Sequence, residues 1–312
     1  MTELLSKGER WFPRETTMAE DLDELWGDWG CASEVERLKA VLMRRPGPEI
    51  EGITDPAGPR WLEIMEPDKA RAQHDALADV YRKHGVEVYY VEEMRRDRPN
   101  AFFVRDAFVM TPEGAILARP AMAARRGEER YVATTLARLG VPILKTVNGT
   151  GTFEGANVLW IDRRSVFLGI GNRTNLEGAR QVEAELRRVG VEEVIYVQVP
   201  YGQAHLDGVF NIASRDTAAC FPWQTPHLVA ETLLRKGFRI LEIQWPEEAK
   251  LGMATNFVAI RPGTIVMPAG CPRSRDLYLE AGLEVIEADI SELRKGWGSI
   301  HCMTAVLARE IV

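Results

Sequence analysis

Lys83-His84-Gly85-Val86-Glu87-Val88, Leu139-Gly140-Val141-Pro142-Ile143, Val189-Gly190-Val191, Lys236-Gly237-Phe238-Arg239-Ile240 and Ala281-Gly282-Leu283-Glu284-Val285 decide the fold. In each stretch a helical run stops at a glycine and a short β-rich run follows. Glycine just past a helix supplies the left-handed residue that closes the last turn, so each reads as helix, cap, strand. These glycines stand 55, 50, 47 and 45 residues apart. A period of that size marks one supersecondary unit repeated in a radial or stacked array.

Upstream of the glycines the units also begin alike, with two β-rich segments around a turn. Residues 102–110, the turn Thr111-Pro112-Glu113-Gly114 and Ala115-Ile116-Leu117-Ala118 form one example. Val158-Leu159-Trp160-Ile161 with Val166-Phe167-Leu168-Gly169, and Phe257-Val258-Ala259-Ile260 with Thr264-Ile265-Val266-Met267, repeat it. Residues 175–189 place Leu176, Ala179, Val182, Leu186 and Val189 three or four apart, a stripe suited to packing on a sheet. The expected fold is therefore α/β: five ββαβ units closed in a propeller with pseudo-five-fold symmetry, spanning residues 37–312. Residues 1–36, with Trp11, Trp26 and Trp29, read as an N-terminal arm across the ring.

Composition narrows the function. Thirty-nine Lys and Arg against 46 Asp and Glu give a net charge of -7, which offers no electrostatic footprint for nucleic acid. No run approaches the roughly 18 apolar residues of a membrane span, and the N-terminus carries no apolar leader, so a cytoplasmic protein without a membrane partner is expected. Cys31, Cys220, Cys271 and Cys302 show no CxxC pair, which suits free thiols. The first three read as structural. His74, His84 and His227 read as surface residues. The sequence fixes no oligomeric state; a homodimer would be unsurprising.

Chemically capable residues recur near the starts of the units: Asp106, Glu154, and His205 with Asp207, while Cys302 follows the fifth unit. In a closed ring these positions converge on the axis. Carboxylates that clamp a planar cation while a thiolate attacks its carbon would suit such a set. Taken singly each residue has a plain alternative: Cys302 as a small buried hydrophobe, Glu154 and Asp106 as turn and cap carboxylates, His205 with Asp207 as half of a metal site. The Asp-x-His-x-Asp cluster of a manganese arginase is absent, so neither metal nor cofactor is expected.

Pro99-Asn100-Ala101-Phe102-Phe103-Val104-Arg105-Asp106, Phe153-Glu154-Gly155, Gly171-Asn172-Arg173-Thr174-Asn175, His205-Leu206-Asp207 and His301-Cys302-Met303-Thr304 resemble the motif series of the guanidino-group-modifying enzymes. That superfamily holds arginine deiminases, arginine dihydrolases, dimethylarginine dimethylaminohydrolases and amidinotransferases on the five-bladed fold called a pentein. The resemblance runs from about Leu38 to Ala305. It implies Cys302 as nucleophile, His205 as general acid and base with Glu154 beside it, and Asp106 and Asp207 on the guanidinium. It also implies Arg125 and Arg173 as a clamp for the substrate's α-carboxylate, hence a small arginine-like substrate. An aspartate two residues after the histidine is kept in arginine deiminases and is generally missing from the dimethylaminohydrolases. The first expectation is accordingly an arginine deiminase yielding citrulline and ammonia through a thiouronium on Cys302. The alternatives are an amidinotransferase, an arginine dihydrolase for which Asn100 leaves room, a dimethylargininase and, remotely, a non-catalytic pentein. Asn157 and Ala156 depart from the family's Glu-Gly-Gly-Asp, and Trp297 interrupts its glycine-rich approach to the cysteine.

Overall fold

A computed structural model describes residues 14–312. It contains five three-stranded sheets. The first is built from β1 (Leu38–Met43), the helix α1 (Pro67–Lys83) and β2 (Glu87–Tyr90). Next come β3 (Phe108–Thr111), β4 (Gly114–Leu117), α2 (Glu128–Arg138) and β5 (Ile143–Thr146). The third unit is β6 (Val158–Asp162), β7 (Ser165–Ile170), α3 (Leu176–Arg188) and β8 (Glu193–Gln198). The fourth is β9 (Phe210–Ile212), β10 (Thr217–Cys220), α4 (His227–Arg235) and β11 (Arg239–Glu242). The fifth is β12 (Val258–Arg261), β13 (Thr264–Pro268), α5 (Pro272–Glu280) and β14 (Glu284–Ala288), after which α6 (Ile300–Met303) leads into β15 (Ala305–Arg309).

Within each sheet the middle strand pairs antiparallel with one neighbour and parallel with the other, as a ββαβ unit requires. The first sheet draws on both ends of the chain: β15 pairs antiparallel with β1, and β1 pairs parallel with β2. This joint closes a five-bladed α/β propeller. The glycines that announced the repeat, Gly85, Gly140, Gly190, Gly237 and Gly282, all have φ between 75° and 96°, the left-handed region expected just past a helix.

The helices cover the sheets with the faces their sequences prescribe. In α3, Ala179, Val182 and Leu186 are buried, and Asn175 caps the helix by accepting the Gly178 N–H at 2.8 Å. Leu176, expected in the same stripe, lies on the first turn and is exposed. No described helix is long and apolar enough to cross a membrane.

Several expectations need correction. Residues 102–107 are not strand; Val104–Ala107 form a 3-10 turn before β3. Between β4 and β5 the chain forms a short 3-10 turn, Ala123–Arg125, then α2, separated by Gly127 at φ 94°. His74 is fully buried on α1 with neither ring nitrogen bonded, and burial pulls its imidazole down to about 3. It is therefore a neutral core residue, selected by its place on the buried face of α1. Of the expected arm, residues 1–13, including Trp11, lie outside the described residues. The remainder is built into the ring: Gly30 bridges to Ala308, Cys31 N–H bonds the Thr111 carbonyl, and Glu34 is buried.

Candidate active site

The blades present the candidate residues in one recurrent way, on a single turn just before the first strand. Asp106 lies in the Val104–Ala107 turn before β3. Glu154 precedes the Gly155–Asn157 turn before β6, and His205 and Asp207 flank the start of the Leu206–Gly208 turn before β9. Cys302 lies in α6 before β15. These turns touch one another in sequence around the ring. Gly155 permits one such contact, because a Cβ there would lie 2.1 Å from the Phe108 carbonyl oxygen.

Together they line a cavity of about 1070 Å³ whose wall includes Asp106, Arg125, Arg173, His205, Asp207 and Cys302. Glu154 is fully buried behind His205. His205 Nε2 lies 2.6 Å from Glu154 Oε2, and its Nδ1 lies 3.6 Å from Asp106 Oδ1. Burial works against a charged imidazole, yet Asp106, the Glu154 hydrogen bond and Asp207 raise His205 above its ordinary value. Burial likewise pushes Glu154 up, but the His205 hydrogen bond and the charges of His205, Arg173 and Arg125 hold it at about 2. Each group thus favours the charged form of the other.

Cys302 stands on different terms. Burial first, then Asp207 and Asp106, push its thiol well above the usual value. Facing those carboxylates, the group favours the thiol over the thiolate. A cation placed between those carboxylates and Sγ would reverse that balance. Cys31, Cys220 and Cys271 are buried, and burial raises each to about 11, as inert structural thiols should be.

The two arginines expected to clamp a carboxylate differ. Arg125 is buried and spent within the protein: Nη1 donates to Asp106 Oδ2, Nε and Nη2 to Glu128 at 2.9 and 2.8 Å, and Nη2 also to the Phe103 carbonyl at 2.9 Å. It braces Asp106 while still forming part of the cavity wall. Arg173 spends only Nη1, 3.2 Å from both Glu154 oxygens, and remains at the cavity wall. Asp106, Glu154 and His205 also offer atoms within 4.8 Å of one another, a spacing open to a metal ion. Both Glu154 oxygens are already met by Arg173, and Oε2 also by His205 Nε2, so two of the three groups are committed within the protein.

The departures from the family pattern have local explanations. Asn157 is buried and donates to Thr174 Oγ1 at 2.9 Å, and that hydroxyl accepts the Glu154 N–H at 3.3 Å. It props the turn rather than facing substrate. Trp297, at φ 63° and half exposed, lies on the cavity rim. Asn100 is tied to the preceding loop, accepting Trp61 Nε1–H at 2.6 Å and donating to the Pro59 carbonyl at 2.8 Å.

Sequence reading missed three residues here. Asn256 occupies the turn before β12, the fifth equivalent position of the repeat, and its Oδ1 accepts from His301 N at 3.0 Å, Cys302 N at 3.3 Å and Cys302 Sγ at 3.4 Å. The repeat itself carried the signal for it. His301 and Glu34 lie beneath Asp207, and no local pattern marks Glu34.

A sequence model described as N,N dimethylarginine dimethylhydrolase, eukaryotic, matches residues 63–309. The N(G),N(G)-dimethylarginine dimethylaminohydrolase of Pseudomonas aeruginosa is 29% identical over 277 residues, 86% of this chain and 98% of that protein. A crystal structure of the P. aeruginosa enzyme, a serine-for-cysteine mutant complexed with citrulline, superposes with a TM-score of 0.72 at 26% identity, covering 86% of this chain and 99% of that one. The arginine deiminase of Lentilactobacillus hilgardii is 23% identical, with 89% of this chain and 96% of that protein covered. The ring of five ββαβ blades and the match over 63–309 lead to one assignment: the chain belongs to the N,N-dimethylarginine dimethylhydrolase family, within the pentein superfamily of guanidino-group-modifying enzymes.

Proposed function

We propose that this protein hydrolyses a C–N bond at the guanidino carbon of free arginine, giving citrulline and ammonia, with Cys302 as nucleophile. The observation that carries the reading is the His205 imidazole held between Glu154 and Asp106 in the cavity that also contains Cys302 and Asp207. The substrate guanidinium enters between Asp106 and Asp207 and offsets the charges that keep the thiol protonated. Cys302 loses its proton to solvent, and the thiolate adds to the guanidino carbon. His205, charged at the outset, gives its proton to the departing nitrogen, and the C–N bond breaks to leave a thiouronium on Cys302. Ammonia leaves. The now neutral imidazole takes a proton from water, the hydroxide adds to the same carbon, and collapse of that adduct expels the thiolate and yields citrulline.

Glu154 serves by orienting His205 and favouring its charged form. Arg173 is the residue we assign to the substrate's α-carboxylate, because a guanidinium fork suits a carboxylate. Arg125 acts only through Asp106. Two carboxylates flanking the guanidinium leave little room for N-methyl groups, which places unsubstituted arginine first. The family match favours a second reading, N,N-dimethylarginine with dimethylamine as leaving group. Incubation with each compound in turn, with citrulline, ammonia and dimethylamine followed by mass spectrometry, separates the two. Absence of citrulline from both overturns the proposal.

A further inference from the structure

Beneath the cavity floor lies a second histidine that the reaction above does not use. His301 precedes Cys302 on α6 and is almost wholly buried. Its Nδ1 lies 2.8 Å from Asp207 Oδ2, and its Nε2 lies 3.5 Å from Glu34 Oε2. Glu34 comes from the segment before the first blade, 267 residues away in the chain. Its carboxylate also accepts the Trp160 N–H at 3.1 Å and has Arg105 Nη2 at 3.8 Å. The charged groups that face His301 are thus Asp207 from the turn before β9, Glu34 from the N-terminal segment and Arg105 from the turn before β3.

We propose that His301 is a positioning residue for the reaction: gripped between Glu34 and Asp207, it is an imidazolium that fixes Asp207 and offsets its charge beside Cys302. Two buried carboxylates 2% and 5% exposed at their side chains need a cation between them, or one must take up a proton. Burial opposes that cation, but Asp207 and Glu34 raise His301 above its ordinary value. Correspondingly, Glu34, which burial alone would raise, is held at about 2 by His301, Arg105 and Arg309. Asp207 is one of the groups that keep the Cys302 thiol protonated, so the charge on His301 bears on how readily the thiolate forms. The inference rests on Cys302 as nucleophile and Asp207 as part of the guanidinium site, and it is tested without turnover.

The experiment follows alkylation of Cys302 by iodoacetamide in the full-length protein against pH, with the modified peptide identified by mass. His301→Gln keeps a donor for Asp207 and removes the positive charge. It is expected to move the alkylation profile about one pH unit upward, a slowing of about tenfold at fixed pH. Glu34→Gln weakens the charge on His301 and moves the profile the same way by less. The double variant should match His301→Gln alone, because Glu34 acts through His301. An unmoved profile in a folded His301→Gln, or in His301→Asn where the glutamine variant does not fold, overturns the proposal, as do simply additive effects. A protein inactive on arginine and dimethylarginine would still report this profile.

Discussion

At the residue scale the chemistry rests on opposed protonation states. His205 is raised by Asp106, Glu154 and Asp207, and Cys302 is raised by burial and the same two aspartates, so the surroundings favour a charged imidazole beside a neutral thiol. Cys302→Ser should abolish citrulline formation, with circular dichroism and thermal melting unchanged; retained turnover would remove Cys302 from the mechanism. In the unmutated protein without substrate, alkylation of Cys302 should still be accelerating past pH 9, the direction that burial, Asp207 and Asp106 dictate. A half-maximal rate near about pH 8.5 with a plateau by about pH 10 would mean an unperturbed thiol. Asn256 illustrates how a neutral residue shapes such a site. Its Oδ1 accepts three hydrogen bonds from His301 and Cys302, so the turn that carries Cys302 has one defined geometry.

At the scale of elements, the single turn before each blade is where the fold and the site meet. The strands fix where a turn begins, and the close passage of neighbouring turns fixes what side chain each can carry. Gly155 and Gly190 separate two reasons for glycine. Gly155→Ala drives a methyl group into the Phe108 carbonyl, 2.1 Å away, and is expected to cost about 1–3 kcal/mol and to slow turnover through Glu154. Gly190→Ala meets nothing within 4 Å, so only its φ of 96° resists, and about 1–2 kcal/mol with unchanged turnover is expected. Thermal melts with a citrulline assay check both. The repeat was plain at this scale in the sequence, through its glycines and paired strands. The turns were not, since residues 102–107 are as β-prone in composition as the strand they precede.

For the whole molecule, closure by β15 on β1 makes the first sheet depend on both ends of the chain. Deleting residues 305–312 removes the antiparallel partner of β1 and should yield a protein without a cooperative melt. The buried carboxylates set the response to acid. Glu34 and Glu154 sit at about 2 in the folded protein, below the ordinary value of about 4.3. Their stabilisation is therefore present above that value and is lost as pH falls toward 2. His205 and His301 have the opposite sign, stabilising below about 6.5 and fading as pH rises through their raised values. Denaturant titrations from pH 6 to 2 should show stability falling mainly between about pH 4.5 and 2. Glu34→Gln should flatten that fall.

The sequence by itself determined the repeat and the α/β propeller, because caps and strand alternation are local physics. It also identified Asp106, Glu154, His205, Asp207 and Cys302 as a set, since they recur at equivalent points of one unit. Only the tertiary structure decided what each touches. Arg125 turned inward to Asp106 and Glu128, His74 proved buried, and Glu34 reached His301 from a segment far away in the chain. Those outcomes depend on distances between blades, and burial then sets which groups keep their charge; neither is written in any local stretch of residues.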